Sequence, residues 1–242
     1  MVLRKWEQLP EFMKVPQVRE YYDSLRKKRA QLVLKRIFDI VASGIMLVVL
    51  SPVFLVIGIL IKLDSSGPVF FRQERVTQYG KSFRIYKFRT MISHSDSNSQ
   101  ITVRGDTRIT RAGKILRKLK LDELGQLIDV FRGTMTFVGV RPEVPRYVDA
   151  YTPEMLATLL LPAGITSRAS IYYKNENELI SGVENVADFY VNEILPLKMK
   201  INLEDIKSFN LLGDLKIILM TVLGVLGKDY PIPEENVMES RK

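Results

Sequence analysis

The dominant feature of the apolar pattern is the run from Ile40 to Ile61, IVASGIMLVVLSPVFLVIGILI, 22 residues without a charge. About 20 such residues suffice to cross a bilayer as a helix. Two details argue against a plain span. Ser51-Pro52 stands mid-run, where proline removes a backbone hydrogen bond and bends the helix. The flanks are also basic on both sides, with Arg26, Lys27, Lys28, Arg29, Lys35 and Arg36 before the run and Lys62, Arg72, Arg75 and Lys81 after it. Lys and Arg collect on the cytoplasmic side of a membrane. A segment that enters, bends at Ser51-Pro52 and returns to the same face satisfies both flanks; a straight span satisfies one. A core helix of a soluble protein fits less well, because such helices rarely run this long without a polar face.

Around this run the pattern changes character. Residues 1–36 read as helical pieces broken near Pro10 and Pro16, and Tyr21, Tyr22 and a basic cluster are expected on a membrane surface. After Gly67-Pro68, two strand-like runs, Val69–Arg72 and Ser82–Phe88, flank a turn at Tyr79-Gly80. A polar loop over 92–110 leads to a helix near Arg111–Leu119. A second helix starts at Asp122, with Leu124, Leu127, Ile128 and Phe131 at helical spacing, and Gly133 closes it. Met135–Val138 reads as a strand, and Thr152-Pro153 opens a helix running to Leu161. Further helices are expected near Val183–Leu195, Leu197–Phe209 and Leu212–Leu226; the last is apolar enough to suit either the core or a membrane interface.

The pattern predicts an α+β fold, predominantly helical. An N-terminal re-entrant membrane helix carries a small cytosolic, helix-rich domain containing short strands. The expected segments are a lead-in at 1–36 on the membrane surface, the re-entrant helix at 37–62, a catalytic domain at 63–227 and an exposed tail at 228–242.

Charge and composition narrow the chemistry. Lys and Arg outnumber Asp and Glu by 36 to 27, a net charge of +9, which favours polyanionic partners such as phosphorylated substrates or anionic lipid. There is no cysteine, so disulfides, thiolate catalysis and Cys-ligated zinc are excluded. The one histidine, His94, sits in a polar stretch and reads as a solvated loop residue. A basic nucleic-acid binder would carry clustered cations with exposed aromatics and no uncharged membrane segment, so nucleic acid is not an expected partner.

Carboxylates and cations therefore carry the chemistry. Asp122-Glu123 stands at a predicted helix start, where the positive end of the helix favours ionised carboxylates and free N–H groups favour phosphate. Side chains one apart diverge by about a quarter turn, so the two can take different roles at one site: attack on phosphorus, and binding of Mg²⁺. An ordinary acidic first turn is the plain alternative; Glu204-Asp205 and Glu234-Glu235 are similar pairs. Lys87-Phe88-Arg89, Arg117-Lys118 and Arg141-Pro142 supply the cations a diphosphate requires.

The stretches KRIFDIVAS, the Ser-Pro break, GPVFFRQERV, FRIYKFRTM, DTRITRAGKILRKLKLDELGQL, MTFVGVRP and PAGIT, in that order, resemble the bacterial sugar transferases, the monotopic polyprenol-phosphate phosphoglycosyltransferases of the small single-domain type. The likeness runs from about Lys35 to Leu226. It implies that Asp122 attacks the β-phosphate of a UDP-sugar, releasing UMP, and that polyprenyl phosphate then accepts the phosphosugar. It further implies Mg²⁺ at Glu123 with Asp122, and phosphate contacts from Lys87, Arg117 and Arg141, with Arg89 beside them. Ser51 and Pro52 match the break of the re-entrant helix. Lys174 stands where a basic residue is often followed by Asn. The expected location is the bacterial inner membrane with the catalytic domain on the cytoplasmic face, and the expected partners are UDP-sugar, polyprenyl phosphate, membrane lipid and a second copy of the chain.

The sequence departs from the family pattern at Gly125, Thr134, Thr136, Val140, Ser167, Arg168 and Ser170. Two of these replace prolines, which predicts looser loops near the site. An inactive membrane-bound partner of glycan-assembly proteins is the rival reading. Specificity for the sugar is expected in 92–110 and 165–182.

Overall fold

The computed structural model describes residues 3–92, 108–180, 183 and 185–233. His94 and most of the 92–110 stretch lie outside them, as do Ser181 and Gly182. After 3-10 turns at Trp6–Gln8 and Glu11–Met13, helix α1 spans Pro16–Lys27. Val18, Tyr21, Tyr22 and Leu25 recur at the spacing that lines one helix face, and all four are buried. They pack with Leu3, Leu9 and Met13 against Leu159, Leu160, Leu203, Ile206 and Phe209. The Tyr21 hydroxyl donates to Glu154 at 2.6 Å, and that of Tyr22 to the Arg4 carbonyl at 2.9 Å. This corrects the expectation that both rings lie on a membrane surface: the apolar stripe turns them into the largest core cluster.

Helix α2, Arg29–Val49, joins the polar lead-in and the first half of the apolar run into one element. Leu50 ends it, and α3, Ser51–Asp64, leaves at a bend of 60° with Pro52 in its first turn, where the missing N–H costs no helical bond. Ser51 donates to the Val48 carbonyl at 2.8 Å. The break therefore falls at Ser51-Pro52. Among the described residues no single helix is long and apolar enough to cross a membrane; α2 and α3 reach that length and composition only as a bent pair.

The polar residues of α2 sit four apart, on one face. Lys35, Asp39 and Ser43 are 3, 0 and 0% exposed, while Val41, Ile45, Val48 and Val49 face outward. Lys35 bonds Asp214 at 2.5 Å, and Asp39 accepts from Thr136 at 2.7 Å and the Phe137 N–H at 3.3 Å. Arg36 donates to the Val130 and Phe131 carbonyls at 2.6 and 2.9 Å. The K-R-x-x-D-x-x-x-S pattern is thus a seam that fastens an apolar helix to the rest of the chain.

Strands β1, Phe70–Val76, and β2, Ser82–Phe88, form an antiparallel hairpin in which Phe71 faces Lys87 and Val76 faces Ser82. Its turn holds Tyr79 and Gly80 at positive φ, 61° and 72°. β1 runs four residues beyond the predicted Arg72 because the pairing partner continues. Helix α4, Arg111–Lys118, is capped by Thr110, whose hydroxyl accepts from Gly113 N–H at 3.0 Å. A 3-10 turn, Leu121–Gly125, leads into α5, Gln126–Arg132, which Gly133 ends at φ 88°. Strand β3, Met135–Val138, pairs in parallel with β4, Ala163–Thr166, which the sequence pattern did not reveal. Between them lie α6, Pro145–Val148, and a 3-10 turn, Met155–Leu160, where an α-helix to Leu161 was expected.

After α7, Arg168–Tyr172, and α8, Glu176–Leu179, three pieces run on without interruption: α9, Val186–Phe189, a π-helical turn, Tyr190–Ile194, and α10, Leu195–Lys207. The two helices expected on either side of Leu195-Pro196 are therefore one. Pro196 cannot donate to a carbonyl four residues back, and the wider π turn takes up that lost bond. Helix α11, Leu211–Val225, buries Ile217 and exposes Leu212, Leu215, Leu219, Val222 and Val225. Most of its apolar positions therefore lie outside the core.

Candidate active site

Three segments distant in sequence meet around a cavity of about 460 Å³: the end of β2, the 3-10 turn before α5, and the loop after β3. Among the described residues six cations line it (Arg75, Lys87, Arg117, Lys120, Arg141, Lys198) against four carboxylates (Asp122, Glu123, Glu143, Glu176), a surplus of two positive charges. A polyanionic ligand is the natural complement.

The turn carrying the carboxylates opens with Lys120 in the left-handed region, φ 56° and ψ 19°, which a non-glycine residue adopts at a cost. Asp122 and Glu123 follow in 3-10 geometry, so they diverge by about a third of a turn rather than the quarter turn of an α-helix. Gly125 closes the turn beneath β2. A Cβ there would lie 2.9 Å from the Tyr86 carbonyl oxygen, so the missing side chain lets β2 approach and brings the next residue, Lys87, onto Glu123.

Glu123 is held from two sides. Lys87 Nζ donates to its Oε1 at 3.0 Å, and Arg141 spans both oxygens at 2.5 and 3.2 Å, the two-pronged geometry of a guanidinium on a carboxylate. Burial alone would push Glu123 up, but Arg141 and Lys87 hold it well below the usual carboxylate range. Asp122 behaves oppositely. Burial, then the charge of Glu123, raises it above its ordinary value, and Lys87 and Arg117 oppose that only in part. The adjacent carboxylates are thus pushed in opposite directions by their surroundings.

The supporting residues are ordered. Arg117 donates to Thr90 Oγ1 at 2.8 Å, and Asp64, at the end of α3, accepts from Ala112 N–H at 2.8 Å in the first turn of the helix that carries Arg117. Arg75 donates to the Pro142 carbonyl at 3.1 Å and so pins the Arg141-Pro142 turn. Arg75, Lys120, Glu143, Tyr147, Glu176, Tyr190 and Lys198 were not picked out as site residues in the sequence. Arg75 was visible only as a flanking charge, and Glu143 adjoins the Arg141-Pro142 motif without a signal of its own.

Two sequence-predicted residues lie elsewhere. Arg89 is buried, donating to the Ser65 and Ser66 carbonyls at 2.7 and 2.6 Å, so it caps the C-terminus of α3 instead of lining the cavity. Lys174 pairs with Asp229 and also lies outside it.

Residues 30–228 match the family described as Bacterial sugar transferase. The chain belongs to this family. It is 36% identical over 200 residues to a UDP-N-acetylgalactosamine-undecaprenyl-phosphate N-acetylgalactosaminephosphotransferase of Aeromonas hydrophila, covering 80% of this chain and 44% of that protein. It is 36% identical over 199 residues to a UDP-glucose:undecaprenyl-phosphate glucose-1-phosphate transferase of Caulobacter vibrioides, covering 81% and 70%. A Bacillus subtilis protein named as an uncharacterized sugar transferase, EpsL, is 33% identical over 195 residues, covering 81% and 88%. The chain thus spans less than half of the Aeromonas protein and most of the Bacillus one.

The departures from the sugar transferase pattern fall outside the cavity lining. Thr134 donates to the Asp129 carbonyl at 3.1 Å, Val140 packs between two core clusters, and Arg168 pairs with Glu204 and Asp205. Ser167 caps α7, accepting from Ser170 N–H at 3.1 Å. At Gly125 and Val140, where looser loops were expected, close packing holds the backbone.

The carboxylate pair also bears on Mg²⁺. Among the described residues no group of three or more His, Cys, Asp or Glu is placed to hold a metal. Mg²⁺ commonly takes one or two carboxylates and completes its shell with water and substrate phosphates. Three hydrogen bonds occupy Glu123, and a carboxylate offers about four lone-pair directions. Asp122 and the remaining direction of Glu123 fit such a partly hydrated ion.

Proposed function

We propose that this chain transfers a phosphosugar from a UDP-sugar to polyprenyl phosphate, undecaprenyl phosphate being the acceptor in its relatives' names, with release of UMP, as the first membrane step of glycan assembly. The observation that carries this reading is the Asp122-Glu123 turn, set in a cavity with surplus positive charge and with its two carboxylates driven to different ionisation behaviour.

Asp122 is the nucleophile. Its raised affinity for protons makes it a more basic carboxylate, hence a stronger nucleophile once ionised. One oxygen attacks the β-phosphorus of the donor, the bond from that phosphorus to the bridging oxygen breaks, and UMP leaves with the electron pair. An aspartyl phosphosugar remains. A phosphate oxygen of the lipid then attacks the same phosphorus, the Asp122 carboxylate departs, and a polyprenyl diphosphate sugar results. Lys87, Arg117 and Arg141 hold the donor oxygens and offset charge on the departing phosphate. Bound at Asp122 and Glu123, Mg²⁺ would supply further charge neutralisation to the diphosphate.

The lipid half of the reaction is consistent with the α2–α3 bend. A re-entrant hairpin of these helices keeps both ends on the cytoplasmic face of the inner membrane. Asp64 and Arg89, which link the end of α3 to α4 and β2, then hold the cavity at the lipid surface. The test is UMP release by membrane-solubilised protein given undecaprenyl phosphate, Mg²⁺ and a panel of UDP-sugars. The expected result is release with a restricted set of sugars, reduced roughly a thousandfold or more in Asp122→Asn. Silence across the panel from folded protein overturns the reading in favour of an inactive membrane-bound partner.

A further inference from the structure

The mechanism above uses one side of the cavity. On the other, Lys198, 6% exposed, bonds the Glu176 carboxylate at 2.6 Å and the Tyr190 hydroxyl at 3.1 Å, and lies 4.0 Å from Glu143. The Tyr190 hydroxyl also donates to Glu143 at 2.6 Å. The Tyr147 ring packs on that of Tyr190 with centroids 4.8 Å apart, and both line the cavity. Arg75 also lines the cavity and faces Glu143 and Tyr190, so the two carboxylates here are balanced by two cations, whereas Lys87, Arg117 and Arg141 outnumber Asp122 and Glu123.

We infer that this wall is the subsite for the sugar of the donor, with Glu176 and Lys198 reading hydroxyl groups remote from the anomeric phosphate and Tyr147 packing on the C–H face of the ring. The inference rests on the donor reading proposed above. The chemistry matches group by group. A carboxylate accepts from hydroxyls, an ammonium donates to their oxygens, and an aromatic face suits a ring's apolar side. Glu143 and Tyr190 bond mainly each other, which leaves them as positioning residues. The Glu176 side chain is 28% exposed where it lines the cavity, so it retains acceptor capacity for a ligand. Sites built to bond hydroxyls also discriminate strongly, because a sugar that lacks the hydroxyl leaves buried polar groups unpaired.

The π turn makes the wall. Tyr190 opens it, and Lys198 lies eight residues on. In an unbroken α-helix eight residues end well off the starting face, and the wider π turn restores the alignment.

The experiment compares binding of UDP with that of UDP-glucose, UDP-galactose and UDP-N-acetylgalactosamine, using the full chain in detergent with Mg²⁺, in wild type and in Glu176→Gln. Glu176 is partly exposed, and the substitution keeps its shape; Tyr147→Leu, also at a partly exposed position, is the second variant. Wild type is expected to bind at least one UDP-hexose more tightly than UDP. In Glu176→Gln the loss for that UDP-hexose should exceed the loss for UDP by roughly tenfold or more, the worth of a hydrogen bond to a charged group. Tyr147→Leu should narrow the same gap by a smaller factor. Equal losses for UDP and UDP-hexose, or no change for either in both variants, overturn the subsite while leaving the donor reading intact. A wild-type protein that binds neither UDP nor any UDP-hexose overturns the donor reading itself.

Discussion

Lys35 and Asp214 meet at 2.5 Å where α2 meets α11, and Lys87, Glu123 and Arg141 meet at 2.5–3.2 Å beside the cavity. Both clusters are ion pairs, and their surroundings differ. The first is closed: its side chains are 4 and 15% exposed, and the neighbouring Asp39 is satisfied by Thr136 and Phe137. The second opens on a cavity with more cations than carboxylates, and Asp122 takes part in none of its ion pairs. A closed pair fastens elements together. An open set with excess charge is arranged for something that arrives from outside.

Substitutions should separate the two clusters. The largest effect is expected at Asp122. Asp122→Asn should abolish turnover while leaving the melting temperature unchanged or slightly higher. The fold raises the affinity of Asp122 for a proton, so its ionised form disfavours the folded state at neutral pH, and a neutral amide removes that cost. Lys35→Met should do the reverse, costing about 3 kcal/mol of stability by stranding Asp214, with activity per folded molecule largely kept. Thermal unfolding and UMP release measured on the same preparations read both. Arg89→Gln should cost about 2 kcal/mol, since carbonyls at the end of α3 lose a charged donor, without a selective rise in KM for the UDP-sugar. A selective rise would return Arg89 to the phosphate site.

The pH dependence sharpens the contrast inside the catalytic pair. The proposed attack needs Asp122 ionised, and burial together with the charge of Glu123 raises its pKa above the ordinary aspartate range, so kcat/KM should fall on acidification at a higher pH than for a free aspartate. Glu123 stays ionised through the same range because Arg141 and Lys87 depress it. Glu123→Gln should therefore lower the rate and, because the charge of Glu123 helps raise Asp122, move the acid limb to lower pH without abolishing it. The smallest effect is expected at Lys174, whose partner Asp229 is exposed: Lys174→Ala should change stability by less than about 0.5 kcal/mol.

The sequence pattern revealed the helix break, the hairpin, β3 and the acidic pair that lines the cavity because each carries a local signal: a proline in an apolar run, alternation around a turn, adjacent carboxylates. It misplaced Tyr21 and Tyr22, because a basic, aromatic helix looks the same on a membrane as in a core until its partners near Leu159 and Ile206 are known. It missed β4, four residues that pair in parallel with a strand 28 positions away, from Met135 to Ala163. It also missed the second wall of the cavity, since Glu143, Glu176, Tyr190 and Lys198 come together only through a π turn and two loops. Arg89 was drawn to the site by Lys87 two residues before it, but β2 ends at Phe88, and past the strand end the Arg89 side chain turns to the carbonyls that close α3.

The central claim is that Asp122 carries the phosphosugar. The direct test is intact-protein mass measurement after incubation with Mg²⁺ and a UDP-sugar that supports UMP release, with the lipid acceptor withheld. A mass gain equal to one phosphosugar, located on the peptide containing Asp122, lost in Asp122→Asn and discharged by undecaprenyl phosphate, is the predicted result. UMP release that persists in Asp122→Asn, or turnover with no such adduct under any quench, would contradict it.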